Sequence, residues 1–313
     1  LAVCLCSPVR DAIFREVYAP LWHKATLFTV IFTVSSLFVP FLIAYRSRGF
    51  WQRDLIYFEK PKIRFLRQSY FELRSPSGLH GWSTYTNLNA QLGNSLLIPQ
   101  MTVSELDDDG DGLYDHVTLR LKFRTTEIIT GVYALLLFEV HLKQQLMITI
   151  QTPVLIQFVG PNKMGGLRYS HMGSLSLYQM QPLVQGQTYN GYNVSLFGGR
   201  VRQLSDVQVK SVEEFLSKRK VSIKLENEFS LWTPGTPSLS RPFTIDIKIF
   251  YPPVSVWAHP SFWYMIWWGW IQYFPILLVS LFISDRIKYF VFAHNLFTGC
   301  GQRRDKLLNM QKP

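Results

Sequence analysis

The stretch ATLFTVIFTVSSLFVPFLIAY, residues 25–45, runs without a charged residue between Lys24 and Arg46. As a helix it would reach roughly 31 Å, which is about the thickness of the hydrocarbon core of a bilayer. A second charge-free stretch, PSFWYMIWWGWIQYFPILLVSLFIS, occupies residues 260–284. Two such long runs are rare in soluble chains, where they would have to be buried core helices. The sequence therefore predicts two transmembrane helices.

Two spans place both tails on one side of the membrane and the long middle segment on the other. The apolar core of the first span is longer than the roughly 7–15 residues of a signal peptide, so we expect an uncleaved anchor. The predicted segments are an N-terminal tail at residues 1–24, transmembrane helix 1 at 25–45, a large domain at 46–259, transmembrane helix 2 at 260–284 and a basic C-terminal tail at 285–313.

A sequon and the cysteines indicate which side is which. The sequence N-V-S at Asn193 is a glycosylation sequon inside the large domain. All three cysteines, Cys4, Cys6 and Cys300, lie in the tails, where a reducing cytosol keeps thiols free for palmitoylation or simply inert. Basic residues just after the first span argue the other way, but long translocated domains are largely exempt from that rule. We predict cytosolic termini, an extracellular domain and a glycan on Asn193.

The middle segment has the patterning of a β-domain. Apolar and polar residues alternate at 117–123, 221–225 and 243–249, which is typical of half-buried strands. The apolar run GVYALLLFEV at 131–140 indicates a buried strand. Further strands are predicted at residues 63–73, 146–158, 167–179 and 189–197. With one short helix predicted at 211–220, the fold class is a membrane protein with two transmembrane α-helices and a large extracytosolic mainly-β domain, β-sandwich-like and without disulfides.

An acidic loop, DDDGDGLYD at residues 107–115, matches the first nine positions of an EF-hand-type calcium loop. Its alternate carboxylates can converge on one hard cation. The predicted ligands are Asp107, Asp109, Asp111, the backbone carbonyl of Leu113, and Asp115. Position twelve is Thr118 instead of a bidentate Glu, and a strand follows instead of a helix. A structural calcium ion is the prediction, and a solvated acidic turn without metal is the alternative.

Basic and aromatic residues mark two candidate contact regions. The net charge of +11 fits nucleic acid or an anionic surface, but a domain outside the cytosol excludes nucleic acid as a partner. Residues 46–74, with eight basic against three acidic residues, fit lipid headgroups, an acidic partner or a merely solvated strand face. On span two, Trp263, Trp267, Trp270 and Phe274 share one helical face, either as a lipid-anchoring belt or as a packing face for span one or a partner's helix.

Sequence motifs of catalysis are missing. The seven histidines are scattered, and H-E-x-x-H, G-x-S-x-G, P-loop and G-x-G-x-x-G motifs do not occur. The large domain has no cysteine that could act as a nucleophile. We predict no catalytic residues, no small-molecule substrate, and no cofactor beyond the calcium ion discussed above.

Five stretches occur in a characteristic order: YRSRGFW at 45–51, DDDGDGLYD at 107–115, YNVS at 192–195, WIQY at 270–273 and DRIKYFVF at 285–292. Together they resemble stretches of one family, transmembrane protein 231. YRSRGFW at 45–51 resembles its F-R-S-x-G-F-W, and residues 107–115 resemble its D-x-N-x-D-G-x-x-D. YNVS at 192–195, WIQY at 270–273 and DRIKYFVF at 285–292 resemble its Y-N-[IV]-S, W-V-Q-Y and E-R-I-K-x-F-V-F. The similarities occur in the same order over most of the chain, whereas the far ends match poorly.

The resemblance implies a scaffold subunit of the ciliary transition-zone membrane complex, the tectonic-like or Meckel syndrome complex. It implies a part in the diffusion barrier at the ciliary base, in ciliogenesis and in Hedgehog signalling. The expected location is the ciliary membrane at the transition zone, and the expected partners are other proteins of that complex and membrane lipid. The alternative is an accessory two-span subunit of a membrane transporter or flippase. Such subunits, like two-span channel protomers, tend to be rich in extracellular cysteines, and the large domain of this chain has none. A further alternative, a β-sandwich hydrolase or lectin, would need a binding pocket.

Overall fold

The computed structural model describes residues 2–4, 15–20, 24–47, 54–161, 164–196, 203–294 and 301–304. The chain divides into two compact units. The first contains both tails and the two long helices, and the second, Asp54–His259, is the large domain. Cys6, Cys300 and residues 48–53 of the basic stretch lie outside the described residues.

Four α-helices and sixteen strands occur within these described ranges. The helices are α1 (Lys24–Arg46), α2 (Thr86–Leu92), α3 (Val209–Ser217) and α4 (Phe262–Ala293). The strands are β1 (Ala2–Cys4), β2 (Arg15–Pro20), β3 (Leu55–Glu59), β4 (Lys62–Ser75), β5 (Gly78–Ser83), β6 (Gln100–Leu106), β7 (His116–Phe123), β8 (Gly131–Leu142), β9 (Met147–Val159), β10 (Gly166–Gln179), β11 (Leu183–Val184), β12 (Thr188–Tyr189), β13 (Val221–Pro234), β14 (Phe243–Phe250), β15 (Val254–His259) and β16 (Gly301–Arg304). Short 3₁₀ turns occur at Gly93–Ser95 and Leu204–Val207.

The two apolar runs form α1 and α4. Helices of 23 and 32 residues reach about 34 and 48 Å, and each is long and apolar enough to cross a bilayer. Helix α4 begins at Phe262, where the Ser261 hydroxyl accepts a hydrogen bond from the Tyr264 N–H. It then continues to Ala293, past the end of the predicted span at 260–284.

Polar contacts join the two long helices. Ser280 Oγ donates to the Ser36 carbonyl at 2.9 Å, and the Tyr273 hydroxyl donates to the Leu37 carbonyl at 3.2 Å. In an apolar solvent such interhelical hydrogen bonds each contribute about 0.6 kcal/mol. In the same unit β1, β2 and β16 form a small antiparallel sheet, so the described parts of the two tails lie side by side.

Two five-stranded sheets pack face to face in the large domain. One, which we call the open sheet, has the order β13-β10-β14-β7-β6, and the other, the covered sheet, has the order β12-β9-β8-β4-β5. Their inner faces share one cluster of buried apolar side chains. Phe158 of the covered sheet, for example, stacks on Tyr169 of the open sheet with ring centroids 5.0 Å apart. This arrangement confirms the predicted fold class of two apolar helices and a mainly-β domain.

Strand β8 is buried on both faces, which explains the absence of alternation in GVYALLLFEV. Leu136 and Phe138 belong to the core between the sheets. Leu135 and Leu137 face the other way, into a second cluster with Leu88 of α2 and with residues of α3 and the 3₁₀ turn at 204–207. These short helices cover the outer face of the covered sheet, so a central strand has no side that faces water.

A third sheet, β11-β15-β3, holds the ends of the domain together. Strands β3 and β15 pair antiparallel, with Leu55 opposite Ala258. The points where the chain enters and leaves the domain therefore lie next to each other.

Three local predictions differ from the structure. Helix α3 begins at Val209 and ends at Ser217 instead of running over 211–220, so Ser211 lies inside it, and the Ser211 Oγ donates to the Ser205 carbonyl at 2.7 Å. Helix α2 is a second short helix in the domain, where the sequence predicted only one. The strand predicted at 189–197 is reduced to β12, because the Asn193 N–H donates to the Asn190 carbonyl and closes a turn; residue 197 lies outside the described residues.

Candidate functional site

The acidic loop connects β6 to β7 and folds back on itself. Oxygen atoms of Asp107, Asp109 and Asp115 all lie within 4.8 Å of one another. Gly110 and Gly112 adopt φ values of +74° and +82°, which side chains with a Cβ rarely adopt. The sequence places glycine at both positions, so the sharp turns are made without strain.

Backbone donors hold the aspartates in place. The carboxylate of Asp107 accepts hydrogen bonds from the N–H groups of Gly110 at 2.7 Å and Gly112 at 2.9 Å. That of Asp115 accepts one from the Asp108 N–H at 2.7 Å. The carboxylates are thus oriented by the loop itself.

Lys60 neutralises part of this charge. Its Nζ lies 2.9 Å from Asp109 Oδ2, 2.6 Å from Asp111 Oδ2 and 2.8 Å from Asp115 Oδ1. The hydrogen bonds to these carboxylates raise the pKa of Lys60 far above its usual range, and the hydrogen bond to Asp111 has the largest effect. The hydrogen bond from Lys60 is also the main reason why the pKa of Asp115 lies below its ordinary value. Lys60 thereby ties the segment between β3 and β4 to the loop.

The donor set fits a calcium ion in part. Asp107, Asp109 and Asp115 bring hard carboxylate oxygens together, as such an ion requires. Asp111 lies outside this group of three but shares Lys60 with it. The Leu113 N–H donates to Asp111 Oδ1 at 2.7 Å. The twelfth position is Thr118, which has no carboxylate and lies within the β7 ladder opposite Ser104. The five-ligand calcium site stays a prediction.

The glycosylation sequon lies in an exposed turn beside β9. Asn193 is exposed, and the neighbouring Tyr192 carbonyl accepts from the Gln151 N–H at 3.1 Å. Arg219, which is only 8% exposed, donates to the carbonyls of Val194 and Gln151. Burial lowers the pKa of Arg219. The sequence does not predict these contacts of Arg219, because the partner carbonyls are remote in the chain.

A serine, a histidine and a glutamate meet at the edge of the open sheet. His171 Nδ1 lies 2.9 Å from Ser230 Oγ, and its Nε2 lies 3.6 Å from Glu228 Oε2. The Tyr169 hydroxyl also contacts Ser230 Oγ, at 3.1 Å. Burial lowers the pKa of His171 to about 4, so the imidazole is neutral and a poor proton acceptor at neutral pH. The cluster fits a structural role between β10 and β13 better than a catalytic one.

The aromatic face of span two does not pack on span one. Trp263, Trp267, Trp270 and Phe274 are between 56% and 76% exposed. The α4 side chains that bond to α1, Tyr273 and Ser280, lie elsewhere on the helix. Of the predicted uses of this face, a lipid-anchoring belt and a surface for a partner's helix remain.

The basic stretch is partly engaged inside the domain. Lys60 contacts the acidic loop, and Arg64 NH2 lies 2.9 Å from Glu139 Oε2. Lys62, in contrast, is exposed on β4. The described part of this stretch therefore does not form one uninterrupted basic surface.

Comparison with known proteins gives one consistent family. Residues 10–300 match the family described as Transmembrane protein 231. The Xenopus tropicalis relative, "Transmembrane protein 231", is 34% identical over 279 residues, which is 88% of each chain. The Homo sapiens relative of the same name is 32% identical over 289 residues, 91% of this chain and 90% of the relative.

Among solved structures, a proton-activated chloride channel is similar at 6% sequence identity and a TM-score of 0.24, over 86% of this chain and 97% of that one. A TM-score this low supports no inference about fold or function.

Proposed function

Because this chain belongs to the transmembrane protein 231 family, we propose that it is a non-enzymatic scaffold subunit of the ciliary transition-zone membrane complex. In this role it contributes to the diffusion barrier at the ciliary base, and through it to ciliogenesis and Hedgehog signalling. Its partners are other membrane proteins of that complex and membrane lipid. The match over residues 10–300 is the observation that carries the proposal.

The architecture is compatible with a scaffold. Two apolar helices supply an anchor, and the adjacent ends of β3 and β15 supply a compact attachment for a large β-domain. We propose that both termini are cytosolic and that the domain lies outside the cytosol. The sequon at Asn193, exposed in a turn, and the placement of all three cysteines in the tails support this orientation.

A non-enzymatic role agrees with the chemistry of the described side chains. The family name carries no enzymatic designation. The Ser230–His171–Glu228 arrangement has a base whose pKa, about 4, is poorly matched to neutral pH. These observations favour binding over catalysis.

For the acidic loop we propose a structural role. Lys60 and the loop carboxylates bind each other, and a calcium ion, when bound, would neutralise Asp107, Asp109 and Asp115 in competition with Lys60. In both cases the result is a fixed connection between β6 and β7, because the five aspartates would otherwise repel one another.

Deletion of the chain in ciliated cells tests the scaffold proposal. We expect plasma-membrane proteins to enter the ciliary membrane, and re-expression of the full chain to restore their exclusion. A chain with residues 54–259 removed serves as the control that retains the anchor alone. Unchanged exclusion after deletion would contradict the proposal, and stable co-isolation with a transporter at the plasma membrane would favour the alternative of an accessory subunit.

A further inference from the structure

The outward side of the open sheet presents its side chains in rows that cross five strands, and we call this surface the open face. Directly opposed residues of neighbouring strands lie about 5 Å apart, so each row is continuous. The first row is Ser104, Thr118, Lys248, Met172 and Phe229; the second is Thr102, Arg120, Asp246, Ser170 and Leu231; the third is Gln100, Lys122, Thr244, Arg168 and Thr233.

The three rows carry an excess of positive charge, and the next outward row, from Leu106 to Glu226, adds one carboxylate. Arg120 Nε lies 2.6 Å from Asp246 Oδ1, and Arg168 NH2 lies 2.6 Å from Asp246 Oδ2. The arginine side chains are 55% and 52% exposed, whereas that of Asp246 is 14% exposed. One carboxylate thus fixes two guanidinium groups that remain open to solvent. Lys122 and Lys248 bring the three rows to four cations against one anion.

The two ends of the open face differ in polarity. At the β13 end, Met172, Phe229 and Leu231 are 44%, 57% and 54% exposed and lie next to one another in adjacent rows. At the β6 end there is a shallow depression of about 290 Å³, lined by Gln100, Thr102, Ser104, Thr118, Arg120 and Lys122. An apolar spot beside fixed arginines is typical of protein interfaces, where aromatic residues, Met and Arg are enriched.

We propose that the open face docks an acidic surface of another protein, in which Asp and Glu side chains surround a small apolar spot. This proposal rests on the scaffold function proposed above and names the surface through which it acts. Charge complementarity determines the choice of partner, because the excess cations need carboxylates opposite them. The guanidinium groups are already held by Asp246, so little side-chain freedom is lost on binding.

Other occupants fit this surface less well. A second copy of the chain would place two positive faces together, and the chain as a whole has a net charge of +11. Anionic lipid is concentrated in the cytoplasmic leaflet, whereas the domain is proposed to lie on the opposite side. A glycan on Asn193 would lie beside β9 of the covered sheet, so it leaves the open face free.

Photo-crosslinking in ciliated cells tests the proposal with the full chain. A photoreactive amino acid replaces Phe229, and the same amino acid replaces Leu239, an exposed loop residue, as the control. We expect crosslinks from position 229 to peptides of another membrane protein with carboxylates close to the crosslinked residue. The Lys122→Glu/Lys248→Glu variant should reduce their yield on the order of tenfold. The matched variant Lys62→Glu/Lys143→Glu, in which two exposed lysines of the covered-sheet side are changed, should not.

A second pair of variants covers the case in which the charge-reversed chain fails to fold. Leu231→Ser should lower the crosslinking yield, whereas Leu239→Ser should leave it unchanged. Crosslinks only to lipid, to glycan or to a second copy of the chain would overturn the proposal, as would equal yields at positions 229 and 239. If one of these overturning results occurs while the wild-type chain restores exclusion at the ciliary base, the docking proposal fails and the scaffold function stands. If the wild-type chain restores nothing, the scaffold function fails.

Discussion

Lys60 and the acidic loop illustrate how single residues organise a connection between strands. The aspartates come from one short segment, whereas the lysine lies 49 positions before Asp109 in the sequence. The loop motif could therefore be predicted from its spacing, but its cationic partner could not. A calcium ion would compete with the Lys60 ammonium for oxygens of Asp109 and Asp115.

Calcium binding to the loop is the first prediction. Calorimetric titration of the purified full chain should detect calcium binding with a Kd on the order of 10⁻⁴–10⁻³ M, the range of extracellular modules. Asp109→Ala with Asp111→Ala should abolish it, and Lys60→Met should tighten it because the competing ammonium is gone. Glu213→Ala with Glu214→Ala, an acidic pair on α3, is the control. A wild-type chain that gives no heat on calcium addition would contradict the prediction.

The buried side chain of His171 makes the stability of the folded domain depend on pH. It is 3% exposed, and burial lowers its pKa from 6.5 to about 4. The folded domain therefore keeps the ring neutral in a pH range where the unfolded chain protonates it. Unfolding takes up a proton between pH 6.5 and about 4, so the folded state loses stability as the pH falls through that window.

The second prediction follows from this sign. His171→Gln should flatten the dependence of the free energy of unfolding on pH between 6.5 and 4, by at most about 1.4 kcal/mol per pH unit. Denaturant unfolding of both proteins at several pH values measures the difference. Carboxylates with lowered pKa values, such as Asp115, Glu127 and Glu139, are present in both proteins, so their contributions to the pH dependence cancel in the comparison. Parallel curves for the wild type and the variant would exclude a buried neutral His171.

Strand β8 contributes to both apolar clusters of the domain, because the short helices above it cover its outer face. The sequence predicted β8 as a buried strand because it is apolar without alternation. It did not predict α2, since TNLNAQL is short, polar and buries one residue, Leu88. It misplaced α3, because Ser211 and Glu214 have the spacing of a capping box while the hydroxyl of Ser211 bonds to Ser205. Strand periodicity is a local property, whereas the contacts of short helices are set by the sheet below them.

The third prediction tests the double burial of β8. Leu136→Ala and Leu135→Ala truncate fully buried side chains on opposite faces of the strand. Each should lower the free energy of unfolding by about 2–5 kcal/mol. Leu239→Ala, at a leucine that is 74% exposed, should change it by less than about 0.5 kcal/mol. If only Leu136→Ala destabilises the domain, the short helices do not cover the sheet.

For the whole molecule, the sequence predicts which helices and strands occur, and in which order, better than it predicts the contacts between them. Charge-free runs gave the two long helices, and period-two patterns gave the strands 116–123 and 243–250, because both signals are local. The open face could not be predicted, since its rows combine residues from five strands that only the sheet order brings together. The same applies to the pairing of β3 with β15, which joins positions some 200 residues apart.

We propose that a two-helix anchor holds the β-domain on the side of the membrane opposite to both tails. The most direct test of this topology is glycosidase treatment of the full chain from ciliated cells, combined with protease treatment of sealed vesicles that carry epitope tags on both termini. We predict a mass shift that Ser195→Ala abolishes, and tags that are cleaved only from the cytosolic side. An Asn193 that carries no glycan, in a domain digested together with the tags from the cytosolic side, would contradict this topology.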